Sequence, residues 1–340
     1  MKKIVCFGEL MLSLEPDGFR RFVQADEFHV FYTGAESNVC ASLAQFGMNA
    51  QFVTRLPENE IADSAVASLR RYGIGTDYIV RGGDRIGVIY TERGASQRPS
   101  KVIYDRKHTA ISESGPETFD WEAIFKDADW FHFTGITPAL SDSVAEACLL
   151  ACKTAKRLGV RISCDLNFRK KLWNSEKAGR VMSELLAYVD VLIANEEDVE
   201  KVLGICPANT DVTAGRLDCS GYADVAQQLS RRFGMEYVAT TLRKSISASD
   251  NDWSAMLYHN GNTVFSREYH IHIVNRVGGG DSFAAALIYA MLNGFDEQKT
   301  VEFAAAASCL KHTIEDDYNL VSVDEVMTLM NGDGSGRVQR

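Results

Sequence analysis

From Asp129 onward the chain alternates short apolar runs with helix-length segments, and this rhythm narrows the fold more than any other feature. Trp130–Thr134, Val160–Asp165, Val191–Ala194 and Tyr237–Leu242 are strand-length runs rich in β-branched and aromatic residues. Ser141–Leu158 and Ala223–Phe233 carry helical patterns between them. Ile4–Phe7 is another apolar run, ending at Gly8. Runs without polar alternation are strands buried on both faces, as in a parallel sheet. The expectation is an α/β fold, a doubly wound, mostly parallel sheet with helices on both faces. Ligands of such sheets bind at the carboxyl ends of the strands. Gly135, Asn167, Arg169 and the run Asn195–Asp198 stand just past strands and are therefore candidates.

The most unusual stretch is Val277–Phe283. An alternating segment, Tyr269–Val274, leads into Gly278, Gly279, Gly280 and Asp281, and the apolar run Phe283–Leu292 then reads as a buried helix. Glycines between strand and helix permit positive φ and bring bare N–H groups together. At a helix N-terminus such donors, with the helix dipole behind them, hold an anion such as phosphate. An anion cradle beside a carboxylate suits phosphoryl transfer to a hydroxyl, with Asp281 as base and the glycine amides as donors. The same residues also suit a tight turn with Asp281 as a helix cap. No Gly-Lys-Ser/Thr follows, so the segment is not a Walker A loop, and its spacing is not the dinucleotide fingerprint.

Earlier in the chain, Leu10–Leu14, Phe28–Tyr32, Gly87–Arg93 and Lys101–Arg106 alternate as strands and are expected to form a small second sheet. Tyr104 and Arg106 fall on one face, and Tyr90 is expected to face them from the neighbouring strand. Residues 1–330 read as one unit, with these strands from about 10–32 and 86–107, and 331–340 as a disordered tail. A net charge of −10 argues against nucleic acid as partner. The longest apolar run, Phe283–Leu292, is too short to span a bilayer, and Met1–Lys3 leads directly into a strand. Eight scattered cysteines, none in a Cys-x-x-Cys pair, read as reduced core residues of a cytoplasmic protein. His270 and His272 share a strand face without a third ligand nearby, which favours packing over a metal.

Asn275–Arg276–Val277–Gly278–Gly279–Gly280–Asp281 resembles the C-terminal signature of the ribokinase/PfkB family of carbohydrate kinases, which usually reads Asp-Thr-x-Gly-Ala-Gly-Asp. Asn275 replaces the first Asp and Gly279 the Ala, and the Arg-Val-Gly-Gly-Gly-Asp form resembles the subgroup acting on 2-keto-3-deoxygluconate. The resemblance implies a ribokinase-like fold, ATP as donor with Mg2+, and the small sheet as a lid over a sugar pocket. It carries over sugar contacts to Gly34 and Asn38, which stand in Gly34–Ala35–Glu36–Ser37–Asn38, with Ala35 where a second Gly is usual. Asn195 and Asp198 match an Asn-x-x-Glu motif that helps place magnesium, with Asp198 in the Glu position. Arg243 is implied to reach a nucleotide phosphate and Ser308 to lie near the adenine. A sugar acid needs cationic donors for its carboxylate, and Arg169 with Arg106, Tyr104 and Tyr90 is the expected set. A neutral sugar such as fructose is the alternative substrate, and a non-catalytic sugar-binding regulator the alternative role. Exposed lid strands are expected to pair with a second copy as a homodimer.

Overall fold

The computed structural model describes residues 1–206 and 219–334 of the 340-residue chain. Its main sheet runs in the order Asn262–Phe265, Asp250–His259, Tyr237–Ser245, Val191–Ile193, Arg161–Asp165, Trp130–Thr134, Lys3–Phe7, Asn49–Leu56 and Ile79–Arg81. Pairing is parallel from Tyr237–Ser245 to Ile79–Arg81. It is antiparallel at the other edge, where Tyr269–His272 also joins Asp250–His259. The chain winds outward from Lys3–Phe7 in both directions, so the order reverses beside that strand. A reversal of this kind opens a crevice at the carboxyl ends.

The first strand shows why the sheet is buried on both faces. Its alternate residues enter two separate cores, Ile4 and Cys6 on one side and Val5 and Phe7 on the other. The first core includes Phe283–Ile288 and Phe303–Ala307 from the helices Gly279–Leu292 and Glu297–Lys311. The second is aromatic, built on Phe119, Trp121, Phe125, Phe131 and Phe133.

The four strands expected outside this sheet form a sheet of their own, in the order His29–Thr33, Met11–Glu15, Gly87–Glu92, Lys101–Asp105. The central pair is parallel and the outer pairs antiparallel. The seven described cysteine residues whose side chains are placed are all free thiols. His270 and His272 are paired across the strands with Asp252 and Asp250, at 2.9 and 2.7 Å, and both are exposed rather than packed. Asn260 and Gly261, at φ 49° and 88°, make the left-handed turn of the hairpin joining Asp250–His259 to Asn262–Phe265. The expected disorder of the tail falls mostly on 335–340, which lie outside the described residues.

Candidate active site

A cavity of 490 Å³ lies at the carboxyl ends of the main sheet, with Ile89, Thr91, Val102, Tyr104 and Arg106 of the small sheet and its exit on one wall and Gly278, Gly280 and Asp281 on the other. The glycine helix starts earlier than its apolar pattern suggests, at Gly279 rather than Phe283, because glycines carry no hydrophobic period. Gly278 precedes it at φ 81°, a conformation that favours glycine, and a Cβ there would fall on the Asp317 carbonyl. The first turn closes through Ser282 N–H to Gly278 O at 2.8 Å, so the earlier amides have no partner within the helix. No side chain among the described residues caps this end. Asp281 thus stands inside the first turn rather than at the cap, and it accepts 2.7 Å from Asn38 Nδ2.

The three glycines differ. Gly278 and Gly280 line the cavity, and a Cβ on Gly280 would meet only open space. A Cβ on Gly279 would strike the His312 ring, so that glycine allows close packing of the helix start on His312. Ser308 is fully buried and donates to Gly279 O at 2.7 Å, so it holds the helix start and does not line this cavity. A small hydroxyl in an Ala-rich helix is used here for close helix packing. Asn275 acts as a neutral clamp, accepting from Val277 N–H and donating to Asp316 O, both at 2.9 Å.

Carboxylates crowd the site, and several were not singled out from sequence. Withdrawal from water pushes Asp281 up to about 7, with Glu36 and Asp317 adding to the rise and Asn38 and Arg169 opposing it. Asp165, at the end of its strand, is pushed up to about 8, first by burial and then by Asp281 and Asp198. Glu36 is buried and raised by burial, although it accepts from Thr134 N–H and from the hydroxyls of Thr134 and Thr137. Asp317 is also buried and raised; Thr33 Oγ1 donates to its Oδ2 at 2.5 Å, while its buried Oδ1 has no hydrogen-bond partner among the described residues. The sequence signal for these acids was weak, since a buried acid is recognised by tertiary partners rather than by local pattern.

The two arginines expected to meet a substrate carboxylate stand in different surroundings. Arg106 is bound through Nε (2.9 Å) and its terminal nitrogen to Glu9 Oε2, and lies 4.9 Å from the Tyr104 ring centre. Glu9 also accepts from Thr109 Oγ1 at 3.2 Å. Arg169 is exposed in the cavity, and among the described residues it forms no ion pair. Asn167 lines the cavity beside it at φ 36°, its N–H bonded to Asp165 Oδ1 at 3.1 Å. Gly34 also lines the cavity, and a Cβ on it would run into the Glu9 carbonyl. Tyr90 corrects the expectation. It pairs with Ile103 while Ile89 pairs with Tyr104, so it points to the outer lid face, where it meets Phe28 edge-on at 6.4 Å. Opposed residues share a face of a sheet, and the register put Ile89, not Tyr90, against Tyr104.

At the other end the cavity is lined by Asn195, Glu196, Glu197, Thr241, Arg243, Asn251, Trp253 and Arg276. Asn251 Oδ1 and Trp253 Nε1 are buried and have no hydrogen-bond partner among the described residues. Asn195 caps the helix Glu196–Leu203 through Asp198 N–H. The Asp198 carboxylate accepts from Asn195 Nδ2 (3.0 Å) and Phe168 N–H (3.1 Å), tying two loops together outside the cavity wall. No group of three or more His, Cys, Asp or Glu among the described residues could hold a metal unaided. Asp165 and Glu196 offer the oxygen donors that suit a magnesium ion bound mainly through phosphates and water.

This arrangement of fold and site defines the class: the chain belongs to the PfkB family of carbohydrate kinases, whose pattern it matches over residues 1–319. Its fold superimposes on the crystal structure of 2-dehydro-3-deoxygluconokinase from Thermotoga maritima with a TM-score of 0.94, at 53% identity over 97% of this chain and 98% of that one. It is 31% identical to 2-dehydro-3-deoxygalactonokinase from Haloferax volcanii, over 98% of each chain. A fructokinase with bound ATP from Xylella fastidiosa shares the fold at 23% identity and a TM-score of 0.77, over 97% of this chain and 98% of that one. Among the described residues, no helix is long and apolar enough to cross a membrane.

Proposed function

We propose that this carbohydrate kinase phosphorylates the 6-hydroxyl of a 2-keto-3-deoxy sugar acid, 2-keto-3-deoxygluconate first, with ATP as donor. The observation that carries this reading is Arg169, exposed without an ion pair in the cavity that also holds Asp281. A guanidinium offers a carboxylate two parallel charge-assisted bonds. Arg106 and Tyr104 stand on the facing lid wall, with Glu9 fixing the arginine. The similarity to a 2-dehydro-3-deoxygluconokinase supports the same substrate, and the similarity to a galactonate-type kinase makes the C4 epimer the second reading.

In the proposed reaction Asn38 holds one oxygen of Asp281, leaving the other to take the proton of the attacking hydroxyl. The oxygen–γ-phosphorus bond forms as the bond to the ADP oxygen breaks. The amides that follow Gly278 stabilise charge on the transferring group. Arg243 and Arg276, which line the same cavity, would neutralise nucleotide phosphates, and Asn195, Asp165 and Glu196 would hold a magnesium ion and its waters. Magnesium would supply charge neutralisation between the phosphates. The outer lid face carries Val30 and Ile103, 55% and 54% exposed, beside Tyr90, which supports pairing of two copies through the lid. Incubation with Mg-ATP and each epimer, followed by ³¹P NMR of the product, tests the reading. A phosphomonoester on C6 is expected; ATP turnover without a new sugar-acid ester rejects it.

A further inference from the structure

Lys311 ends the helix Glu297–Lys311, and its side chain is fully buried. Lysine is almost never fully buried unless its charge is compensated. Here the ammonium is held by main-chain oxygens, donating to Asp316 O at 2.9 Å and Ile314 O at 3.3 Å. Asp316 turns its carbonyl inward at φ 56°, and the same oxygen accepts from Asn275 in the glycine motif. On the other side, the Lys311 Cε lies 3.1 Å from where a Cβ on Gly278 would stand. The ammonium therefore sits directly behind the residue that heads the anion cradle. Burial lowers its pKa to about 8, while Asp317, Asp281 and Asp316 support the charge and Arg93 opposes it. At neutral pH it remains mostly protonated. No step described above uses it.

We propose that Lys311 is a built-in cation of the phosphoryl-transfer site, a positioning residue whose ammonium gathers the 314–317 turn against the glycine motif and places fixed positive charge behind Gly278. The proposal rests on the kinase reading. A buried cation held by converging carbonyls has the chemistry of a bound monovalent ion, so a chain that carries it covalently has no need of a free one. It acts on the transferring group through the cradle rather than by contact. Its loss should therefore lower kcat more than it raises KM for the sugar acid.

The test compares the wild type with Lys311→Ala, which leaves a carbonyl-lined space, and Lys311→Met, which fills that space without charge. Both should lose about tenfold to a hundredfold in kcat, below the loss for a direct oxyanion donor. KM for the sugar acid should stay within about threefold. Ammonium chloride should restore Lys311→Ala, whereas tetramethylammonium chloride should not, and Lys311→Met should respond to neither. Folded variants with wild-type kcat, or a Lys311→Ala loss that ammonium leaves untouched, would overturn the proposal. Should both variants fail to fold by circular dichroism, the dialysed wild type decides. Full activity in tetramethylammonium buffer is expected, and activation of about fivefold or more by potassium or ammonium contradicts a built-in cation. A wild type that phosphorylates no sugar or sugar acid at all defeats the kinase reading itself, a separate outcome from any change caused by the variants.

Discussion

Asn38 Nδ2 donates 2.7 Å to Asp281 Oδ2, joining two residues 243 positions apart. The bond links the helix that follows the lid strand His29–Thr33 to the helix that follows the glycine run. One oxygen of the carboxylate is fixed, and Asp281 lines the cavity. Asp281→Asn keeps the size of the side chain and removes its basicity. We expect kcat to fall by roughly 10²–10⁴, the usual scale for losing a general base. Calorimetry should show ATP binding nearly unchanged; normal turnover by the folded variant would return Asp281 to a structural role.

The same carboxyl sets a pH dependence. With Asp281 pushed up to about 7, the basic form is lost as pH falls through that value. In the unliganded enzyme, kcat/KM should therefore show an acid limb near pH 7, falling about tenfold per unit below it. For stability the direction is opposite. A carboxyl whose folded pKa is raised favours the protonated state, so its contribution is complete below the ordinary carboxylate range and is lost as pH rises through about 7. Asp281→Asn should raise Tm by about 2 °C or more at pH 8, and by less at pH 5. An equal shift at both values would show that Asp281 titrates normally.

The cradle is best probed at Gly280. Its Cβ would enter open cavity, so Gly280→Ala should fold, helped by up to about 1 kcal/mol of helix propensity, and lose turnover through crowding of the phosphoryl group. Gly279→Val instead drives a side chain into His312 and should lower Tm whatever its effect on catalysis. Thermal melts beside initial rates separate the two. Wild-type rates in Gly280→Ala would move the cradle elsewhere.

The strand–helix rhythm after Asp129 was legible because strands covered on both faces are continuous apolar runs, and they emerged as Trp130–Thr134, Arg161–Asp165, Val191–Ile193 and Tyr237–Ser245. The four strands of the small sheet were legible from alternation, but the side on which Tyr90 falls was not. Pairing register decides that, and no residue within the strand announces it. The motif located Asp281, yet Glu9, Glu36 and Asp317 appear only once Arg106, Thr134, Thr137 and Thr33 are brought to them. Lys311 was hidden for the same reason, since a lysine at a helix end ordinarily serves the dipole from the surface.

Arg169→Lys tests recognition of the substrate carboxylate. Losing a charged hydrogen bond costs roughly 1.5–3 kcal/mol, so KM for the sugar acid should rise about tenfold or more while KM for ATP stays level. Arg106→Lys should show a similar rise with a lower Tm, because it also disturbs the buried Glu9 pair. Steady-state kinetics with each substrate varied in turn gives both values. An unchanged KM in Arg169→Lys would mean that the exposed guanidinium does not meet the acid.

The most direct measurement is wild-type kcat/KM, with saturating Mg-ATP, for 2-keto-3-deoxygluconate, its C4 epimer, fructose and ribose. A site with Arg169 exposed in the cavity, without an ion pair among the described residues, and Arg106 held at its wall should favour the keto-deoxy acids over both neutral sugars by at least about tenfold. A higher value for fructose or ribose would contradict the sugar-acid reading.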